Sequence, residues 1–186
     1  MLSGLLLTHH HVDHNEEFAA VLMQAIMRPR TLEVFGPPKT QALVDFTLDF
    51  YQDDLAYRLA RTGRTLQDLG KVQVRELQGG ERFTLDGLQV TTAKMVHSSH
   101  TIAYCFEAGG QAIVISGDTT YAENLVHLAK GADVLVIDGG AAVVRRNGAG
   151  GRGGMGSHAS MEDVARMAEQ SGVKRLVLTH IFGSNI

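Results

Sequence analysis

The chain has 186 residues, 44% of them hydrophobic and 20% charged, which allows a core of its own and argues against disorder or a small disulfide scaffold. Its 17 Lys and Arg against 20 Asp and Glu give a formal net charge of -3, so no overall field attracts a polyanion such as nucleic acid. The single Cys105 excludes an internal disulfide and predicts a reducing, cytoplasmic location, and no segment resembles a membrane span or a secretion signal.

The first third of the chain predicts strands alternating with helices. Residues 5–7 form a short apolar run, typical of the end of a buried strand, and the histidine-rich segment behind it is expected to be a loop. Residues 15–27 predict a helix that Pro29 ends. Residues 31–35 predict a strand closed by Gly36, and residues 39–61 predict one long helix or two short ones.

In the rest of the chain the hydrophobic pattern changes twice, first to the alternation typical of strands and then to strands that alternate with helices. Residues 72–77, 82–85 and 88–95 alternate apolar and polar positions and predict antiparallel strands, followed by a hairpin of residues 102–107 and 111–116. Strands at 112–116, 134–138 and 175–179 then alternate with helices at 121–130 and 160–170. The glycine-rich residues 145–157 predict a mobile loop. These patterns indicate an α/β fold in a single domain over residues 1–186.

A cluster of potential metal ligands follows the first strand. His9, His11, Asp13 and His14 form the pattern His-x-His-x-Asp-His, and imidazole and carboxylate are ligands that Zn²⁺ accepts. Alternate positions of a turn point to one side, so His9 and His11 can share one ion while Asp13 and His14 face a second. His10 is expected to be solvated or to support a ligand. A histidine tag would be expected to lack the interleaved aspartate and the preceding strand.

The segment THHHVDHNEEF resembles the signature motif of the metallo-β-lactamase superfamily. Later segments are similar to the subgroup that contains ribonuclease Z and the arylsulfatase-like or phosphodiesterase-like hydrolases: MVHSSHTIAYCFEAGG, VISGDTTY and SHASMEDVARMAEQSGVKRLVLTHI. The resemblance implies an αββα sandwich. It also implies an N-terminal truncation, because the family's motif follows several strands and here it begins at residue 9. A partner subunit that completes the sheet is the other interpretation, and we expect a homo-oligomer.

The resemblance also implies a dinuclear metal site. One ion would be bound by His9, His11 and His97, the other by Asp13, His14 and His180, with Asp118 bridging. Zinc is the default, and manganese or iron could use the same ligands. His100 competes with His97 for its ligand role. Taken singly, His97 and His180 could be ordinary polar residues beside strand ends, and Asp118 could be a residue that only forms a turn.

The same resemblance implies three catalytic residues. Asp13 counts both as a ligand and as a catalytic group, and His158 matches the family's proton donor, a task that suits an imidazole with a pKa of about 6.5. Asp138 stands where ribonuclease Z carries a glutamate that orients this histidine, and it is one methylene shorter. Whether Asp138 reaches His158 directly or through water is open, and capping of the next loop is the alternative role.

Two further groups of side chains are candidates for contact with a substrate. Arg145, Arg146 and Arg152 of the glycine-rich loop could meet an anion, although a solvated loop is an equal alternative. A second group on the predicted helical segment could line a cleft or pack on a helix flank: Tyr51, Asp54, Tyr57 and Arg58.

Three functions remain as hypotheses. The favoured one is a metal-dependent hydrolase in which a metal-activated hydroxide attacks a phosphodiester, sulfate ester or similar small anionic ester. The alternative is a ribonuclease Z-type tRNA 3' endonuclease, disfavoured by the net charge and by the short stretch of residues 98–117, which leaves no room for a tRNA-gripping arm. A non-catalytic, metal-binding member of the superfamily is the third. No membrane is expected as a partner.

Overall fold

The protein is described from a computed structural model that covers residues 2–139 and 157–181. The chain divides into two units, Met1–Leu77 and Gln78–Ile186. Within the described residues, no helix is long and apolar enough to cross a bilayer.

The first unit is built on a three-stranded parallel sheet in the order β1-β2-β3. The strands are β1 (Gly4–Leu6), β2 (Leu32–Gly36) and β3 (Val72–Glu76). Parallel neighbours require long crossover connections. Helices supply them here: α1 (Val12–Asn15), α2 (Phe18–Ile26), α3 (Thr40–Phe50) and α4 (Gln52–Ala60), with a short 3-10 turn at Leu66–Asp68.

The predicted helix over residues 15–27 was wrong in its first turn. Phe18, Leu22 and Ile26 recur every four residues and are buried against Leu32 and Val34, which is the spacing of one helix face. That apolar face begins only at Phe18, so the residues before it form the separate α1. The histidine-rich segment therefore ends in a short helix and is not wholly a loop.

The second unit is a six-stranded mixed sheet in the order β4-β5-β6-β7-β8-β9. Its strands are β4 (Arg82–Leu85), β5 (Leu88–Lys94), β6 (Ile102–Ala108), β7 (Gln111–Ile115), β8 (Val134–Asp138) and β9 (Leu176–Thr179). Strands β4 to β7 are antiparallel, and β7, β8 and β9 are parallel. Helices α5 (Glu123–Leu128) and α6 (Met161–Ser171) accompany the parallel part. The α/β fold class is thus confirmed.

Strand β3 corrects the prediction of an antiparallel strand at residues 72–77. It pairs in parallel with β2, and Val74 lies opposite Val34. The Leu77 amide continues this pairing by donating to the Gly36 carbonyl at 2.7 Å. The two glycines at residues 79–80 therefore lie in the connection between β3 of the first sheet and β4 of the second, and they do not close a hairpin.

Helix α6 has defined ends and one buried face. The Ser160 hydroxyl accepts a hydrogen bond from the Asp163 amide at 3.1 Å, as an N-cap does. Gly172 ends the helix in the left-handed conformation, at φ 65°. Val164 and Met167 are fully buried in a core that includes Leu135 and Ile137 of β8, so the helix lies on the central strands of the parallel part.

Removing the N-cap hydroxyl tests this placement of α6. We expect Ser160→Ala to lower the free energy of unfolding by about 1 kcal/mol, because the Asp163 amide loses its acceptor. Ser160→Asn, which keeps an acceptor of similar reach, is the control. Urea unfolding followed by circular dichroism measures both variants, and equal losses would contradict the capping role.

Candidate metal centre

The histidine motif of the first unit is gathered just beyond β1. His9 is fully buried, and its ring centroid lies 4.7 Å from that of His11 and 4.2 Å from that of His14. His11 is the extended N-cap of α1, so the next turn brings Asp13 and His14 together, with Asp13 Oδ2 at 3.5 Å from His14 Nε2. The four predicted ligands of this segment therefore lie close together within their own unit.

His10 points to a different set of partners. Its Nε2 lies 3.2 Å from Thr40 Oγ1, and its Nδ1 lies 3.4 Å from Asn15 Nδ2. Burial lowers the pKa of His10 below its usual value. The side chain is thus held by protein groups that are not themselves predicted metal ligands.

Asp118 is the centre of the second unit's cluster. It follows β7 after Gly117, whose positive φ of 62° turns the chain, and it is only 2% exposed. Asp118 Oδ2 lies 3.7 Å from His97 Nε2, 3.8 Å from His180 Nε2 and 3.9 Å from His158 Nδ1. One buried carboxylate oxygen therefore has three imidazole nitrogens around it.

These separations fit ligands of a shared cation better than direct hydrogen bonds. An N–H to O hydrogen bond spans about 2.7–3.2 Å. Two ligand atoms that each lie about 2.1 Å from one ion are about 3–4 Å apart. The Nε2 atoms of His97 and His180 stand at 3.7 and 3.8 Å from Asp118 Oδ2 and fit this spacing, whereas His158 Nδ1 is engaged with Asp138 at 2.7 Å. The donor set of the second unit consequently fits a divalent metal ion.

The orientation of His97 is set by a backbone carbonyl. Its Nδ1 donates to the Ser157 oxygen at 2.7 Å, which leaves the lone pair on Nε2, the nitrogen directed at Asp118. Metal-binding histidines are commonly oriented in this way. His100 instead lies with Nε2 at 3.1 Å from the Gln78 carbonyl, so the geometry favours His97 over its competitor.

His158 and Asp138 are in direct contact. Asp138 closes β8 and is only 1% exposed, and its Oδ2 accepts from His158 Nδ1 at 2.7 Å. The shorter aspartate thus needs no bridging water. The same oxygen accepts a hydrogen bond from the Thr119 amide at 3.2 Å, in the loop that follows β7 and not in the loop that follows Asp138.

His180 occupies a strained backbone position immediately after β9. Its φ of 53° lies in the left-handed region, which a histidine adopts only at a cost. Its ring stacks with that of His158 at a centroid distance of 5.4 Å, and its Nδ1 lies 3.6 Å from Asp138 Oδ1. This conformation directs the side chain toward the two aspartates.

The remaining substrate candidates divide into two groups. Arg145, Arg146 and Arg152, with residues 145–156 of the predicted mobile loop, lie outside the described residues. On α4, Arg58 pairs with Asp54 at 2.7 Å.

The helical candidates face a cavity or lie exposed. Tyr51, Asp54 and Arg58 line a cavity of about 300 Å³ within the first unit. Tyr57 is exposed, with Arg61 packed over its ring, as the helix-flank interpretation predicts.

Sequence reasoning missed two backbone groups of the second unit. The Ser157 carbonyl and the Thr119 amide hold His97 and Asp138. Neither group leaves a trace in residue type, since any residue carries them. No sequence signal could have found them.

Comparison with known proteins places the chain in a family. Residues 1–181 match the model described as "Beta-lactamase superfamily domain". The ribonuclease Z of Mycobacterium bovis (strain BCG / Pasteur 1173P2) is 32% identical in an alignment 192 residues long, and the alignment covers 96% of this chain and 67% of that protein. The chain therefore spans about two thirds of the length of that relative.

Solved structures agree on the fold. The metallo-β-lactamase fold protein YhfI from Bacillus subtilis aligns with a TM-score of 0.68 and 22% identity, covering 98% of this chain and 66% of YhfI. Human short-form tRNase Z aligns with a TM-score of 0.70 and 20% identity, covering 96% of this chain and 72% of that enzyme. The chain belongs to the metallo-β-lactamase superfamily, in its ribonuclease Z-like subgroup, and is a metal-dependent hydrolase.

Proposed function

We propose that the chain acts as a ribonuclease Z-type endonuclease that cleaves a phosphodiester bond near the 3' end of a precursor tRNA. The observation that carries this proposal is the 32% identity to a ribonuclease Z along 96% of the chain. The buried carboxylate of Asp118, with the Nε2 atoms of His97 and His180 at 3.7 and 3.8 Å, supplies a donor set that suits phosphodiester hydrolysis with a metal ion.

The relatives support tRNA as the substrate, whereas the composition favours a small anionic ester. The net charge of -3 averages over the whole surface, whereas phosphate recognition depends on local groups. Nucleic acid therefore becomes the preferred partner class. A sulfate or small phosphate ester remains the second candidate, favoured by the short stretch of residues 98–117.

The proposed cofactor is a pair of divalent cations, with zinc as the first choice for these nitrogen and oxygen donors. The assignment follows the family pattern: His9, His11 and His97 for one ion, Asp13, His14 and His180 for the other, and Asp118 shared. When bound, such ions lower the pKa of water and stabilise charge that develops on the attacked phosphate.

His158 and Asp138 would handle the proton. Asp138 accepts a hydrogen bond from the proton-bearing Nδ1 of His158 at 2.7 Å, which fixes the orientation of the ring. Nε2 is then the nitrogen that protonates the leaving oxygen. Asp13 would contribute as a ligand and catalytic group, as the family pattern implies.

Replacing the proton donor tests the catalytic proposal. We expect His158→Ala to lower kcat for cleavage of a precursor tRNA by about 10²–10⁴-fold, because the leaving oxygen loses its acid. His127→Ala, at an exposed position on α5, is the matched control. Cleavage is measured with end-labelled precursor tRNA and, in parallel, with bis(p-nitrophenyl) phosphate.

Two results would contradict the tRNA proposal, and a third would contradict the role of His158. Turnover of only the small ester supports the second candidate. Metal binding with no turnover of either substrate identifies a non-catalytic member of the family. Full activity in His158→Ala would remove this residue from the mechanism.

The choice between His97 and His100 is tested by metal binding. We expect His97→Ala to weaken binding of one of the two ions at least tenfold, because a ligand is lost, whereas His100→Ala stays within twofold of the parent chain. Competition with a chromophoric chelator measures both. The reverse order would assign the ligand role to His100.

A further inference from the structure

The strongest feature outside the proposed ligand set is the pairing of His10 with the first residue of α3. Thr40 is fully buried, and its Oγ1 lies 3.2 Å from His10 Nε2 and 2.7 Å from the Pro37 carbonyl. His10 lies between the proposed ligands His9 and His11 in the chain. This contact therefore connects the histidine-rich turn to the loop behind β2.

The directions of these hydrogen bonds follow from the available protons. A hydroxyl has one proton, and Thr40 donates it to the Pro37 carbonyl. Thr40 Oγ1 must then accept from His10, so the His10 proton is on Nε2. Nδ1 of the ring is left as the acceptor for the Asn15 amide at 3.4 Å. The chain of donors runs from Asn15 through His10 and Thr40 to Pro37.

Gly36 provides the space that Thr40 occupies. A Cβ at Gly36 would collide with Thr40 Oγ1 and would approach Leu7 Cβ to 3.2 Å. A larger residue at this position would displace the hydroxyl from His10. The absence of a side chain at Gly36, the last residue of β2, thus leaves space for the Thr40 side chain.

The backbone before Thr40 is strained and then stabilised. Lys39 has a φ of 83°, a left-handed conformation that a non-glycine residue adopts only where surrounding contacts enforce it. The Glu76 carboxylate accepts from the Lys39 amide at 2.9 Å and from the Gln41 amide at 3.1 Å. These bonds hold the first turn of α3 in the arrangement that points Thr40 at His10.

We propose that His10 and Thr40 form a latch that holds the turn carrying His9 and His11 in the orientation needed to bind a metal ion. Both are positioning residues, since each acts through the neighbouring ligands. The proposal goes beyond the tRNA substrate and depends on the proposed function only for the ligand role of His9 and His11. Restricting the turn before binding raises metal affinity; partners that orient a metal ligand directly are worth about 10–100-fold, and an indirect restraint belongs at the low end of that range.

Removing the Thr40 hydroxyl tests the latch. We expect Thr40→Val to weaken zinc binding about tenfold, because the near-isosteric side chain cannot accept from His10. Thr40→Ser keeps the hydroxyl and should bind zinc within twofold of the parent. Affinity is measured by chelator competition on the full chain, and the spectrum of the Co²⁺-loaded protein reports the ligand geometry.

Variants of His10 complete the test. His10→Leu should match Thr40→Val, while His10→Gln, whose amide can donate to Thr40, should recover part of the affinity. The double variant His10→Leu with Thr40→Val should bind no more weakly than either single variant, because both remove one interaction. Additive losses, or equal affinities in Thr40→Val and Thr40→Ser, would overturn the latch.

Two readouts separate the latch from the proposed function and from general stability. ¹⁵N NMR of His10 in the metal-free chain should show the proton on Nε2 in the parent and a changed tautomer balance in Thr40→Val. An unchanged balance overturns the latch, as does a loss of thermal stability with unaltered zinc affinity. If the parent chain binds zinc but does not cleave tRNA, the proposed function is contradicted and the latch is not.

Discussion

The second unit depends on a buried carboxylate that needs compensation. Asp118 is 2% exposed, and burying an ionised group is costly unless other charges or donors offset the lost hydration. His97, His158 and His180 surround it at 3.7–3.9 Å. The separations of His97 and His180 from Asp118 leave space for a cation between these groups, while His158 donates to Asp138.

The parallel strands bring these side chains to one edge. Asp118 comes after β7, Asp138 ends β8 and His180 follows β9. Because the carboxyl ends of neighbouring parallel strands share an edge, residues 62 positions apart in the chain become neighbours (180 − 118). The same strands also carry buried apolar residues. Val114, Leu135 and Ile137 belong to the hydrophobic core that packs against α5 and α6.

Backbone strain is found beside the chemically important residues. His180 and Lys39 both have positive φ, a conformation that persists only where surrounding contacts enforce it. At His180 the strained residue is itself a proposed ligand. At Lys39 it precedes Thr40, and two bonds to Glu76 hold it. At both sites an unfavourable backbone conformation accompanies the placement of one side chain, that of His180 or that of Thr40.

The sequence by itself determined the local features of this protein. Ligand types at His9, His11, Asp13 and His14, the strand preceding them and the alternation of strands and helices after residue 112 are all patterns of neighbouring residues. The N-cap at Ser160 was predictable for the same reason, since its partner is three residues away.

Only the tertiary structure decided the contacts between distant segments. The Ser157 carbonyl, 60 residues from His97, favours that histidine over His100. The direct bond from His158 to Asp138 and the parallel pairing of β3 with β2 were decided in the same way. Periodicity reports which face of an element is apolar, whereas these contacts depend on which backbone groups and side chains the fold brings within hydrogen-bonding distance.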